Sequence, residues 1–284
     1  MINKEEFLQN LIPALKIGAQ IALRLEGKVQ NDTKEVDFRE GEDTKELAGR
    51  TAKTVVDEMI QETIIHTVRS FLDTSLIQID AEEVTPGLQF FSTTPQDTTL
   101  VLDPIDGTIN YIQQSGSYAI HIGVIEKGTV SISLIYFPQT DTLYYLDADG
   151  NACVVSDFYT STYIKFKQLK SNTALEKRIY INSRVPIDMI KQIQSKGFIV
   201  EKIFSENDGL LEIINGKAYA YIAVGRHIRD ALMGAITSKV ADGYLTDWNG
   251  NDIIWPQSGR IPQLIVGNTP LPEELKIILK QYAN

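Results

Sequence analysis

The run Asp103-Pro104-Ile105-Asp106-Gly107-Thr108, fed by the apolar stretch Thr99-Leu100-Val101-Leu102, constrains this chain more than any other segment. An apolar strand ends there on two carboxylates and a sharp turn. Pro104 fixes one φ and Gly107 permits a positive one, so Asp103 and Asp106 can face one point while the amides of Gly107 and Thr108 stay unpaired. A turn of this kind can hold a hard cation on its carboxylates and a phosphate on its N–H groups. Taken alone it also reads as an ordinary strand end, because Asp-Pro and Asp-Gly are common turn dipeptides.

Two further acidic features accompany it. Glu82-Glu83 follows the apolar run Ser75-Leu76-Ile77-Gln78-Ile79, and Asp230 sits at the start of the helical pattern Ile228 to Ile236. Separately, a Glu-Glu pair is a solvated corner and an Asp in a first helical turn answers the macrodipole. Together and in this order, the pieces resemble the signature of the inositol monophosphatase family, the magnesium-dependent, lithium-sensitive sugar and nucleotide phosphatases. The resemblance runs from Asp57 in Thr54-Val55-Val56-Asp57, through Glu82-Glu83 and Asp103 to Tyr111, to Asp230 and Asp242-Gly243-Tyr244-Leu245-Thr246-Asp247. The family commonly reads Asp-Pro-hydrophobic-Asp-Gly-Thr-Thr-Asn-Phe. Here Ile109 replaces the second threonine and Tyr111 the phenylalanine, which leaves every carboxylate and the first threonine in place.

That resemblance implies an α+β fold, a layered αβαβα sandwich of the sugar phosphatase type, with its site between two halves. It implies two or three Mg²⁺ ions as cofactors. One would be held by Glu82, Asp103 and the carbonyl of Ile105, a second by Asp103, Asp106 and Asp230, and a weaker third would share Glu82. Thr108 paired with Asp57 would orient and deprotonate the attacking water, while the Gly107 and Thr108 amides hold the phosphate. Glu83 either completes the metal shell through water or faces solvent. Arg226, His227 and Arg229 form a basic cluster before Asp230, read either as charge balance or, at Arg229, as recognition of a second anionic group on the substrate.

Substrate choice is where the chain departs from its relatives. Members acting on inositol phosphates usually carry Trp before the last metal-binding Asp and a small-residue Gly-Ser/Thr-Ala segment upstream. Arg229 stands in the first place and Ser205-Glu206-Asn207-Asp208 roughly in the second. The expected activity is hydrolysis of a small phosphorylated metabolite, an inositol phosphate or a sugar phosphate. A nucleotide 3′-phosphate, a sugar bisphosphate, or a regulatory protein that keeps the fold without turnover are the alternatives.

Composition narrows the partners. A net charge of -10 argues against a nucleic acid polymer or an anionic membrane and suits a site that gathers cations. The single cysteine, Cys153, excludes an internal disulfide and a multi-cysteine zinc site, and reads as a small hydrophobe in a strand. No stretch approaches the roughly 18 apolar residues of a membrane span, so a cytoplasmic protein is expected. A homodimer is common among the relatives.

Along the chain, Leu11 to Leu25 and Leu47 to Phe71 have helical spacing, separated by a polar stretch, Gln30 to Thr44, that reads as a mobile loop over the site or a plain surface connection. Tyr118 to Ile125 and Val130 to Tyr136 flank Glu126-Lys127-Gly128-Thr129 as a hairpin, and a second hairpin turns at Asp147 to Asn151. From Arg178 the pattern alternates strand and helix: Ile179 to Ile181, Ile187 to Lys196, Phe198 to Val200, Leu210 to Ile214, Ala218 to Val224, and a closing helix from Pro272 to Tyr282. The expected organisation is an N-terminal α+β half over residues 1–177, carrying the metal-binding turn, and a C-terminal α/β half over 178–284. His66 and His121 lie within apolar patterns and read as structural histidines.

Overall fold

The computed structural model describes residues 2–33, 47–48, 51–160, 167–168, 176–203, 205–240, 243–268 and 270–283. The expected loop over the site therefore lies, from residue 34 onward, outside the described residues, as does Asp242.

The apolar stretch before the acids is strand β2 (Thr98–Asp106), the second strand of a seven-stranded sheet. It pairs in parallel with β1 (Gln78–Ala81) and antiparallel with β3 (Ala119–Glu126). β4 (Thr129–Phe137), β5 (Thr142–Leu146), β6 (Ala152–Ser156) and β7 (Lys167–Gln168) follow in sequence order, so both expected hairpins are present. A five-stranded second sheet is built from β8 (Arg178–Ile181), β9 (Ile199–Lys202), β10 (Ala220–His227), β11 (Tyr244–Thr246) and β12 (Arg260–Gly267), in the order β11-β12-β10-β8-β9. β10, β8 and β9 run parallel, whereas β12 is antiparallel to its neighbours.

The helices are α1 (Lys4–Leu25), α2 (Val55–Arg69), α3 (Thr108–Gln113), α4 (Ile187–Ser195), α5 (Glu206–Ile214), α6 (Leu232–Thr237) and α7 (Glu273–Gln281). Side-chain alternation along the strands decides how they stack. Leu100 and Leu102 of β2 face Phe7, Leu11 and Leu15 of α1 and Ile60 and Ile64 of α2. Val101, between them, faces the other way into a core shared with Leu210 and Ile213 of α5, Leu232 and Ile236 of α6, and Tyr221 and Leu264 of the second sheet. The far face of that sheet, through Ile179 and Ile222, packs on Met189 of α4 and Leu275 of α7. These three cores, stacked between five layers, make an αβαβα sandwich.

The middle layer is tight. A Cβ on Gly123 of β3 would lie 2.5 Å from Leu232 Cδ2, so the missing side chain lets α6 settle onto the strand. Cys153 is buried in β6 as a small hydrophobe. No helix among the described residues is long and apolar enough to cross a membrane.

Three expectations are corrected, and two strands were missed. The helix read as Leu47 to Phe71 is interrupted: Leu47, Ala48 and Thr51 are helical, but α2 begins afresh at Val55, because Thr54 is extended and closes a capping box with Asp57. The helix read from Ile228 starts at Leu232, so Asp230 lies in the turn before it rather than in its first helical turn. β11 and β12 went unread, although Ile261, Leu264, Ile265 and Val266 are buried there. His66 has a 63% exposed side chain 3.4 Å from Glu62, so it is no core histidine. Leu232→Ala is expected to cost about 2–5 kcal/mol by opening a cavity between the sheets. A lowered urea midpoint at unchanged slope in equilibrium unfolding would report it.

Candidate metal and catalytic site

A regular strand sends residues three apart to opposite faces, so Asp103 and Asp106 should diverge. The register shows why they do not. Asp103 lies opposite His121 and Asp106 opposite Ala119, three residues against two, so β2 bulges at Pro104-Ile105 and both acids share the face turned to the middle layer. Gly107 then takes a φ of 93°, and a Cβ there would meet the Ser117 carbonyl at 2.9 Å. This left-handed residue begins α3, leaving the Gly107 and Thr108 amides at the helix start.

The turn before α6 brings Asp230 to the same point. Carboxylate oxygens of Asp103, Asp106 and Asp230 all lie within 4.8 Å of one another. Glu82 is delivered beside Asp103 by β1, its amide continuing the β1–β2 ladder through a bond to the Leu102 carbonyl. Burial pushes the Asp103 carboxyl well above the usual range, and the charges of Glu82 and Asp106 push it further. Burial and the Asp230 charge raise Asp106 to about 6 against the pull of His121 and Arg226. Burial also works against the Asp230 carboxylate, but Arg226, His227 and Arg229 hold it below its ordinary value. Asp103 Oδ1 is buried with no hydrogen-bond partner. An orphaned oxygen among crowded oxygen donors fits a hard divalent cation, which binds such ligands and cancels their repulsion.

Asp57 and Thr108 face this cluster from the other side. Asp57 is fully buried; its Oδ2 accepts the Thr54 amide at 2.8 Å and the Thr54 hydroxyl at 2.7 Å. Its Oδ1 and the Ile105 carbonyl, 3.3 Å and 2.9 Å from Thr108 Oγ1, are alternative acceptors for the one Thr108 hydroxyl proton. Burial raises the Asp57 pKa to about 7, the Thr54 bonds opposing it and the Glu82 charge adding to it. The Ile105 carbonyl keeps a second lone pair, so the Thr108 bond leaves it able to serve as a ligand.

Other residues fall differently from the sequence reading. Glu83 is neither solvent-facing nor part of the acidic cluster: it is buried, 3.5 Å from Lys53 Nζ, with its backbone clamped by Gln61. Arg229 donates from Nη1 to Asp80 and to the Ala81 carbonyl, its side chain 17% exposed, so its guanidinium ties the Asp230 turn to β1. Arg226 bridges Glu206 Oε2 at 2.5 Å and Asp230 Oδ2 at 3.0 Å. Sequence reasoning missed Asn207, Glu206, His121 and Asp80 as neighbours of the acids. Only Asp80, an acid inside the apolar run of β1, carried a local signal.

The shifts of Asp57, Asp103 and Asp106 have one sign. Each acid binds its proton more tightly folded than unfolded, so its contribution to stability is full below its unfolded pKa near 4 and is lost as pH rises through its folded value. Burial raises Glu206 to about 8, with Arg226 opposing, which extends the window upward. Cation-free protein is therefore expected to lose thermal stability between about pH 4 and pH 8, and millimolar Mg²⁺ to restore it at the high end. Melting temperatures across that range, with chelator and with Mg²⁺, check this.

Comparison with known proteins agrees with the geometry. An inositol-1-monophosphatase of Bacillus subtilis is 47% identical over 192 residues, 64% of this chain and 66% of that protein. A Nus factor SuhB of Xylella fastidiosa is 24% identical over 184 residues, 63% of this chain and 66% of that one. The chain thus spans about two thirds of the length of these curated relatives. A solved IMPase/NADP phosphatase complexed with Mg²⁺ and phosphate shares the fold, with a TM-score of 0.72 at 18% identity over 98% of this chain and 96% of that one. The model of the inositol monophosphatase family matches residues 3–281, so the chain belongs to that family.

Proposed function

We propose that this chain is a Mg²⁺-dependent phosphoric monoester hydrolase acting on a small phosphorylated metabolite, an inositol phosphate or a sugar phosphate. The observation that carries the reading is the Asp103-Asp106-Asp230 cluster, with its orphaned Asp103 oxygen, standing beside a buried Asp57–Thr108 pair.

In this reading Glu82, Asp103 and the Ile105 carbonyl hold one ion, and Asp103, Asp106 and Asp230 hold another. Bound magnesium supplies neutralisation of phosphate charge and acidification of water. The protein's own groups do the rest. Gly107 and Thr108 direct their amides at the phosphate. Thr108 orients the attacking water and passes its proton toward Asp57. A carboxyl with a pKa of about 7 is matched to that task near neutral pH, where it is poised to take a proton and give it up again. The buried Thr54 bonds hold Asp57 in one rotamer, so Oδ1 stays aimed at Thr108.

Substrate recognition by Arg229 has the least support, since two protein acceptors already hold its Nη1. Arg226 is likewise committed to Glu206 and Asp230.

Phosphate release from a panel of inositol, sugar, sugar bisphosphate and nucleotide phosphates, with Mg²⁺ and with chelator, tests the proposal. Release that requires Mg²⁺ is expected. Silence across the panel beside clear Mg²⁺ binding would point to a regulatory protein instead. Asp103→Asn and Asp230→Asn are each expected to abolish most turnover with the fold intact by circular dichroism, and wild-type rates in either would refute the site. Asp57→Asn should lower kcat by about 10²–10⁴-fold while leaving Mg²⁺ binding in place, as loss of a general base requires. Steady-state kinetics and calorimetry separate the two effects.

A further inference from the structure

The first turn of α5 reaches two of the clustered acids. Arg226 links Glu206 to Asp230, as described above. Asn207, the next residue, reaches Asp106: its Nδ2 donates to Asp106 Oδ2 and lies 2.9 Å from His121 Nε2. His121 Nδ1 lies 3.0 Å from the backbone carbonyl of Arg229. A carboxylate and a carbonyl can only accept, which fixes the protons along this chain. Asn207 turns its amide nitrogen to Asp106, His121 accepts at Nε2, and His121 donates from Nδ1 to Arg229. One relay thus joins α5, β2, β3 and the turn that carries Asp230.

Its burial shows that the relay is not a filler of space. Asn207 is 1% exposed and His121 is fully buried. Asn207 Oδ1 has no hydrogen-bond partner, so the amide points at Asp106 with its other end left unsatisfied. An apolar side chain there would avoid that penalty. Groups that hydrogen-bond metal-ligating carboxylates restrict the ligand's rotamer and improve binding without touching the ion.

We propose that Asn207 is a positioning residue that fixes the Asp106 carboxylate for the cation, through a relay with His121 anchored on the Asp230 turn. This rests on the reading of the acidic cluster as a Mg²⁺ site. The relay accounts for a large polar group at Asn207, and Glu206 beside it reaches Asp230 through Arg226.

Isothermal titration of Mg²⁺ into wild type and Asn207→Ala tests it, with melting temperatures in chelator measured alongside. The expected result is a dissociation constant raised about 10–100-fold. A merely structural Asn207 would instead lower the chelator melting temperature and leave the Mg²⁺ dissociation constant unchanged, which would overturn the proposal. Should the alanine variant fail to fold, Asn207→Leu keeps the branched shape at a larger volume, removes both polar ends of the amide, and carries the same expectation. His121 Nε2 also lies 3.6 Å from Asp106 Oδ2, so adding His121→Ala to the Asn207 variant should weaken binding further but by less than its effect in wild type, because the two share one relay; full additivity would overturn the relay. If wild type itself binds no Mg²⁺, the cation reading fails, whereas tight wild-type binding with an indifferent Asn207 variant refutes the positioning role alone.

Discussion

Repulsion among crowded carboxylates, one buried and two half-buried, is the constraint to which the surrounding structure answers. Asp103, Asp106 and Asp230 hold oxygens within 4.8 Å of one another, with Glu82 beside them. Free side chains would swing apart or take up protons. Here two packed layers and a bulged strand forbid the first, and the raised carboxyls of Asp103 and Asp106 register the second. The energy stored in that crowding favours whatever ligand cancels it, and oxygen donors so placed suit a hard cation.

The protein does not neutralise the cluster evenly. Asp230 has Arg226 at 3.0 Å and is held ionised, Asp106 has the Asn207 amide, and Asp103 has an oxygen with no partner at all. Counter-charges brought by β10 and its following turn offset the repulsion at Asp230. They leave Asp103 Oδ1 without a hydrogen-bond partner. Asp57 stands apart from this group, its charge governed by burial and by the Thr54 cap that also starts α2. One side chain thus helps cap the start of α2 and reaches Thr108, which couples the position of Asp57 to the rigidity of the α1–α2 layer.

Much of this was legible in the chain because short-range rules wrote it. The turn at Asp103 to Thr108, both hairpins and the alternating second half follow from residue type and period alone. The misreadings share a cause. Thr54 could have been one more helical residue, and only its extended backbone and the Asp57 cap end the helix there. β12 lies in the centre of its sheet's antiparallel side, between β10 and β11, but its run is broken by Pro262 and Gln263, which hides the strand period. His66 and His121 looked alike in sequence, yet one is on the surface and the other sits between Asn207 and Arg229.

The sequence by itself determined which acids exist, that two of them end a strand on a glycine turn, and that the family pattern places Asp57, Glu82 and Asp230 with them. Those are properties of neighbours along the chain, set by local dihedral limits and side-chain chemistry. Only the tertiary structure decided that a bulge turns Asp103 and Asp106 to one face, that Arg229 spends its charge on Asp80, and that Asn207 reaches Asp106 from 101 residues away. Each of these depends on layers packing to fixed distances. Hydrogen bonds and ion pairs act only within a few ångströms, and no spacing along the chain encodes which side chains the packing brings that close.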